Sequence, residues 1–289
     1  MMQYLYLVII SIIFISCSKE VTVDLPDPEE KFVVEGSIEN GSAPIIILTR
    51  SQPYFSSISL DQLDNLFVKG ATITLTTEGQ EYSFVEFAIP LDSNSQIYIY
   101  TIPTLIGEVG KKYDIKIEAE GKTLTASTII PEPVNIDSLY WIPHPELDKG
   151  NDSLVTLMAL FTDPDTIGNY YRYFTKRNDD IFKPGYFGSV FDDLFWNGIE
   201  IDAPFPRGQN NTEDFDRDTY SYFFKNDHVS LKLASIDKTT YDFWRTLEQD
   251  DAGSGNPYGT ATKVLSNIEG GLGIWGGYGV SIDTLTIFD

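Results

Sequence analysis

Two histidines, one cysteine and several closely spaced acids are the side chains with which this chain could do chemistry. Asp214, Asp216 and Asp218 alternate like calcium-loop ligands, but the EF-hand pattern needs Gly at its sixth position and Glu at its twelfth. Thr219 and Lys225 stand there instead. An irregular surface calcium site on these acids, or on Asp163 and Asp165, remains open beside the plainer reading of a solvated acidic loop. Asp192-Asp193 beside Phe195-Trp196 has the residue types of a carbohydrate site, where two carboxyls flank the bond to be cut. Adjacent positions on a strand point to opposite faces, so these two acids alone do not make that pair.

His144 and His228 sit in no HExxH segment and near no GxSxG nucleophile turn. A Ser-His-Asp site would have to be assembled from unmarked positions, so no catalytic residue is assigned and the chain reads as a non-enzyme. Gly271-Leu272-Gly273 resembles part of a phosphate-binding fingerprint, which requires a strand before it and a helix after it. No helical pattern follows. The six glycines among residues 270–279 alternate with Leu272, Ile274, Trp275 and Tyr278, as in a buried strand that allows close backbone approach. The run Tyr170-Tyr171-Arg172-Tyr173, with Phe195 and Trp196, could line a ligand face or pack across strands. No cofactor and no metal site is expected.

The charge narrows the partners. Forty-three Asp and Glu against 20 Lys and Arg leave a formal net charge of -23, which repels phosphate backbones and makes nucleic acid an unsuitable partner. With 42% hydrophobic and 22% charged residues, the chain has the composition of a folded protein with a sizeable core.

The single cysteine has a distinctive setting. Residues 5–15 are apolar except Tyr6 and Ser11, a run of about eleven that suits a signal-peptide core and falls short of the ~20 needed to span a bilayer. It ends in Phe14-Ile15-Ser16-Cys17. This resembles a bacterial lipobox, although Phe14 replaces the commoner Leu and the leading Met1-Met2-Gln3 has no Lys or Arg. The resemblance implies cleavage before Cys17 and attachment of acyl chains, palmitate among them, to that residue. No other cysteine exists, so disulfides and cysteine-based metal sites are excluded. Residues 17–30, acidic and containing Pro26 and Pro28, read as an extended tether. They also partly resemble the charged export signal of surface-displayed lipoproteins of Bacteroidota.

The remainder is written in strand patterns. Phe32-Val33-Val34-Glu35 and Ile45-Ile46-Ile47-Leu48 flank Asn40-Gly41, and the alternating residues 71–76 turn at Glu78-Gly79. Tyr113, Ile115 and Ile117 share a face before Glu120-Gly121 turns the chain again. Short strands punctuated by such turns predict an immunoglobulin-like β-sandwich over residues 31–133. Pro131-Glu132-Pro133 marks a junction to a second β-rich domain, 134–289, with strand candidates at 153–161, 170–174 and 229–233. One short helix is expected over 239–249, capped by Asp237, with Tyr241, Trp244 and Leu247 or Glu248 at helical spacing.

Taken together, Cys17, Phe32-Val33-Val34-Glu35-Gly36, Asn169-Tyr170-Tyr171-Arg172, Asp192-Asp193-Leu194-Phe195 and residues 266–275 resemble an uncharacterised Bacteroidota lipoprotein family known only as a domain of unknown function. The resemblance implies an outer-membrane lipoprotein encoded beside TonB-dependent receptors, hence an accessory in nutrient uptake with such a receptor as partner. It carries over no ligand or catalytic residue. A surface glycan- or protein-binding module and a hydrolase with an unmarked site are the competing expectations.

Overall fold

The computed structural model describes residues 29–52, 63–90, 95–144, 154–186, 188–209, 219–253 and 263–288. Cys17, the apolar run before it and most of the tether lie outside them, as do Asp214, Asp216 and Asp218.

The expected hairpins form where the sequence places turn residues. β1 (Phe32–Glu39) pairs antiparallel with β2 (Ile45–Arg50). A short helical turn, α1 (Leu63–Leu66), precedes β3 (Thr72–Thr77), which pairs with β4 (Gln80–Ser83) across Glu78-Gly79. Glu78 and Gly79 have φ of 49° and 77°, and Glu120 and Gly121 have 48° and 76°. Both dipeptides therefore make the left-handed two-residue turn that matches strand twist. The second joins β7 (Lys112–Ala119) to β8 (Lys122–Ile129).

With β5 (Val85–Pro90) and β6 (Gln96–Thr101), these strands form two layers, β1-β2-β6-β5 and β8-β7-β3-β4. That is the strand order of an immunoglobulin sandwich. One core fills it: Val34, Ile46 and Leu48 from the first layer meet Leu75, Tyr113, Ile115, Ile117 and Leu124 from the second. Each comes from the alternate positions of its strand.

The second half repeats the layering with different strands. β9 (Ile136–Pro143), β10 (Leu154–Thr162), β14 (Glu200–Pro204) and β15 (Phe223–Phe224) form a small sheet. It packs on β11 (Tyr170–Arg177) and β16 (His228–Ile236), burying Val155, Leu157 and Phe161 against Tyr171, Tyr173, Leu231 and Leu233. β12 (Lys183–Pro184) and β13 (Val190–Asp192) both pair with β11. α2 (Lys238–Gly253) lies on the opposite face of β11 and β16.

The closing strand joins the two halves. β17 (Leu272–Thr286) pairs parallel with β1 through Tyr278, then antiparallel with β16 from Tyr278 onward. A nine-stranded sheet thus runs across the junction expected at residues 130–136, and the described residues from Glu30 onward make one compact unit. The glycines show why this is sterically feasible. A Cβ at Gly277 would lie 2.3 Å from the Ile129 carbonyl oxygen, and one at Gly279 would lie 2.1 Å from that of Pro131. The Gly-rich segment is thus a buried strand crossing close over the link between halves. The protein is mainly β, as its composition and periodicity predict. Among the described residues no helix is long and apolar enough to cross a membrane.

Candidate functional site

The polar centre of the second half begins with the alternation of β11. Tyr171, Tyr173 and Thr175 point into the core, which turns Tyr170, Arg172 and Phe174 toward α2. The helix starts where Asp237 caps it: Oδ1 accepts from the Thr240 amide at 2.7 Å, and its carbonyl oxygen accepts from the Tyr241 amide at 3.0 Å. From there Tyr241, Trp244 and Glu248 fall on one face. Tyr241 donates from its hydroxyl to Asp192 Oδ2 at 2.8 Å, and Trp244 Nε1 donates to the Tyr278 hydroxyl at 2.8 Å. Glu248 accepts from the Ser189 amide and hydroxyl. Three side chains a turn apart thus pin the helix to two strands, β13 with the residue just before it, and β17.

Arg172 lies beneath that face, 5% exposed. Its guanidinium carbon sits 3.4 Å from the centre of the Trp244 ring and 4.8 Å from that of Phe174. Nε donates to Ser189 Oγ at 3.0 Å. Ser189 therefore bridges Arg172 and Glu248, and among the described residues no carboxylate pairs directly with the guanidinium. Burial lowers the pKa of Arg172, while the neighbouring Tyr278 and Glu248 oppose that shift. Tyr278, also buried, is raised by that burial, with Arg172 and Trp244 working against it.

Arg172, Trp244, Leu247 and Glu248 line a cavity of about 300 Å³ together with Pro184, Gly185, Tyr186 and Gln209. Aromatic walls around a few fixed polar groups make a small-molecule site. A ligand there would meet one cation, one carboxylate and an amide. Sequence reasoning saw Arg172 only as one member of an aromatic run. Gln209 and Tyr186 carried no signal, because their role depends on a backbone bridge between Gly185 and Gly208.

Asp192 and Asp193 diverge as alternation requires: Asp192 meets Tyr241, whereas buried Asp193 accepts from the Gly168 and Asn169 amides at 2.8 and 3.0 Å. Phe195 is 85% exposed and packs on neither. Asp163 accepts from the Tyr171 hydroxyl and the Gly198 amide, so it braces two loops. Asp165 Oδ1 lies 3.5 Å from Asn197 Nδ2. Among the described residues no cluster of three His, Cys, Asp or Glu is gathered to hold a metal. His144 lies against the Tyr222 ring, and His228 Nδ1 is 3.1 Å from Thr286 Oγ1.

The sequence model of a family described as domain of unknown function (DUF4249) matches residues 18–283. The chain belongs to that family. No curated protein matches it. In this DUF4249 chain the segments singled out by resemblance that lie among the described residues pair two by two. Residues 33–36 pair in register with 272–275, and Tyr170, Tyr171 and Arg172 pair with Asp192, Phe191 and Val190. The matched region thus contains both the seam joining the two halves and the arginine of the cavity.

Proposed function

We propose that this DUF4249 protein is a lipid-anchored outer-membrane protein of Bacteroidota, acting as a non-enzymatic accessory of a TonB-dependent receptor in nutrient uptake. The observation that carries the reading is the apolar run ending in Ser16-Cys17, directly before the family-matched region that begins at residue 18. Several acyl chains on one cysteine hold a protein on a bilayer stably, whereas one gives marginal binding. Confinement to that surface raises the effective concentration of a receptor embedded there, so a weak docking contact suffices. The cavity beside Arg172 supports a capture role upstream of transport. Purification from its native membrane in mild detergent is expected to bring down a β-barrel receptor. Recovery of the protein alone, from cells that contain the receptor, overturns this reading.

A second reading is a surface binding or adhesion module without a transporter. It is favoured by Ile167, Leu194 and Phe195, which are 87%, 71% and 85% exposed on two loops held together by Asp193. Exposed apolar groups of this kind mark contact surfaces. Binding of the purified protein to a glycan array, with no receptor recovered from membranes, would select it.

A further inference from the structure

We propose that the cavity under α2 is a binding site for a small organic monocarboxylate, with its carboxylate on Arg172 and its flat or aliphatic body against Trp244, Tyr186 and Leu247. The site goes beyond the receptor reading and depends on neither anchor nor receptor.

The charge of Arg172 motivates it. Burying a cation is costly unless an anion and hydrogen bonds compensate. Arg172 is 5% exposed, and it is supported by the hydroxyls of Ser189 and Tyr278 and by the charge of Glu248 beyond the shared serine, with no carboxylate directly on the guanidinium among the described residues. Stacking on Trp244 and Phe174 covers the faces of the guanidinium. A planar carboxylate matches the edge of such a fork.

A second polar group points the same way. Gln209 is 7% exposed and lines the cavity. Its amide offers a ligand carboxylate or amide a donor and an acceptor on the wall that Arg172 also lines. The two groups stand on different segments and reach one space of about 300 Å³, at the small end of ligand cavities.

The charge count sets the ligand class. One arginine faces the space, and Glu248 stands across the shared serine. Arg172 and Glu248 leave the lining neutral, so Glu248 repels a dianion such as phosphate more strongly than a monoanion, which adds a single negative charge close to the guanidinium. The rigid backing favours binding over catalysis: Trp244 is held by Tyr278 and Glu248 by Ser189, so the walls are positioned before a ligand arrives.

The test uses the full-length protein in detergent, with calorimetry and tryptophan fluorescence as readouts. The probes are 3-phenylpropionate, indole-3-acetate, their primary amides and inorganic phosphate. At least one acid is expected to saturate a single site, and its amide to bind at least about tenfold more weakly. Arg172→Lys should abolish the acid's advantage. Because that residue is buried, Gln209→Leu serves as an independent probe at the cavity wall: affinity falls about fivefold while the melting curve and circular dichroism stay unchanged. Failure of both acids to saturate, equal binding of acid and amide, preferential binding of phosphate, or a Gln209→Leu protein with unchanged affinity would each overturn the proposal.

Discussion

The side-chain amide of Asn267 exchanges two hydrogen bonds with the backbone of Trp275: Nδ2 donates to the carbonyl oxygen at 2.8 Å, and Oδ1 accepts from the amide at 2.9 Å. At Trp275, β17 has β1 on one edge, while β16 does not begin to pair until Tyr278. Asn267 therefore substitutes for the missing strand. Asn40 does the same beyond the end of β1, accepting from the Val280 amide at 2.5 Å and donating to its carbonyl at 3.3 Å. The two asparagines satisfy β17 where its neighbours change, and they seat Trp275, whose buried Nε1 donates to the Tyr113 carbonyl at 3.0 Å.

Asn267→Asp keeps the shape and removes the donor. The carboxylate would face the Trp275 carbonyl oxygen, and stability should fall by about 1–3 kcal/mol. Urea unfolding followed by tryptophan emission measures this, and an unchanged midpoint would refute the strand-substitute role.

Gly273→Ala should be far more damaging than a substitution at an exposed turn glycine. Gly273 has φ +106° and its Cβ would sit 1.9 Å from the Val34 carbonyl oxygen, whereas Gly110, at φ +78°, has open space around it. Backbone strain and a clash with backbone together should cost about 3 kcal/mol or more. Comparing melting temperatures of Gly273→Ala and Gly110→Ala checks it.

Arg50 supplies a pH signature. It bonds Glu120 at 2.5 Å and Glu30 at 2.8 Å, linking the end of β2 to the β7–β8 turn. The Arg50 hydrogen bond holds the Glu120 carboxyl below its ordinary value of 4.5. A depressed folded-state pKa gives stability that is complete above the unfolded value and disappears as pH falls through the folded one. Arg50→Gln should therefore destabilise the protein slightly at neutral pH, and its deficit against the wild type should shrink below pH 4.5. Both acids are more than half exposed, so added salt should shrink the deficit too. Melting curves across pH and ionic strength read both effects.

Cys17→Ser separates anchoring from folding. The protein is expected to leave the membrane fraction while keeping its circular dichroism and melting temperature, since the cores of the described residues are drawn from positions between Phe32 and Ile287. Normal levels of the serine variant in the outer membrane would show that something other than acylation holds it there.

What the sequence by itself determined is local. Tyr113, Ile115 and Ile117 alternate inward, Glu78-Gly79 and Glu120-Gly121 turn the chain, and Asp237 caps the helix, because each depends on backbone preferences within a few residues. The helical spacing of Tyr241, Trp244 and Leu247 or Glu248 was equally legible; burial then chose Glu248 as the residue that docks. The tertiary structure alone decided the long-range pairings. Nothing near β17 specifies a parallel partner 239 residues earlier; the match rests on Gly273 approaching Val34 and on Gly277 and Gly279 clearing the link between halves. The cavity belongs to the same class. Arg172 in sequence sits among tyrosines, and only the register of β11 against β16, with α2 laid across them, turns Tyr171 and Tyr173 into the core and leaves the arginine buried beside Trp244, at the cavity that Gln209 also lines. Alternation tells which residues share a face, but what covers that face is settled by segments far away in the chain.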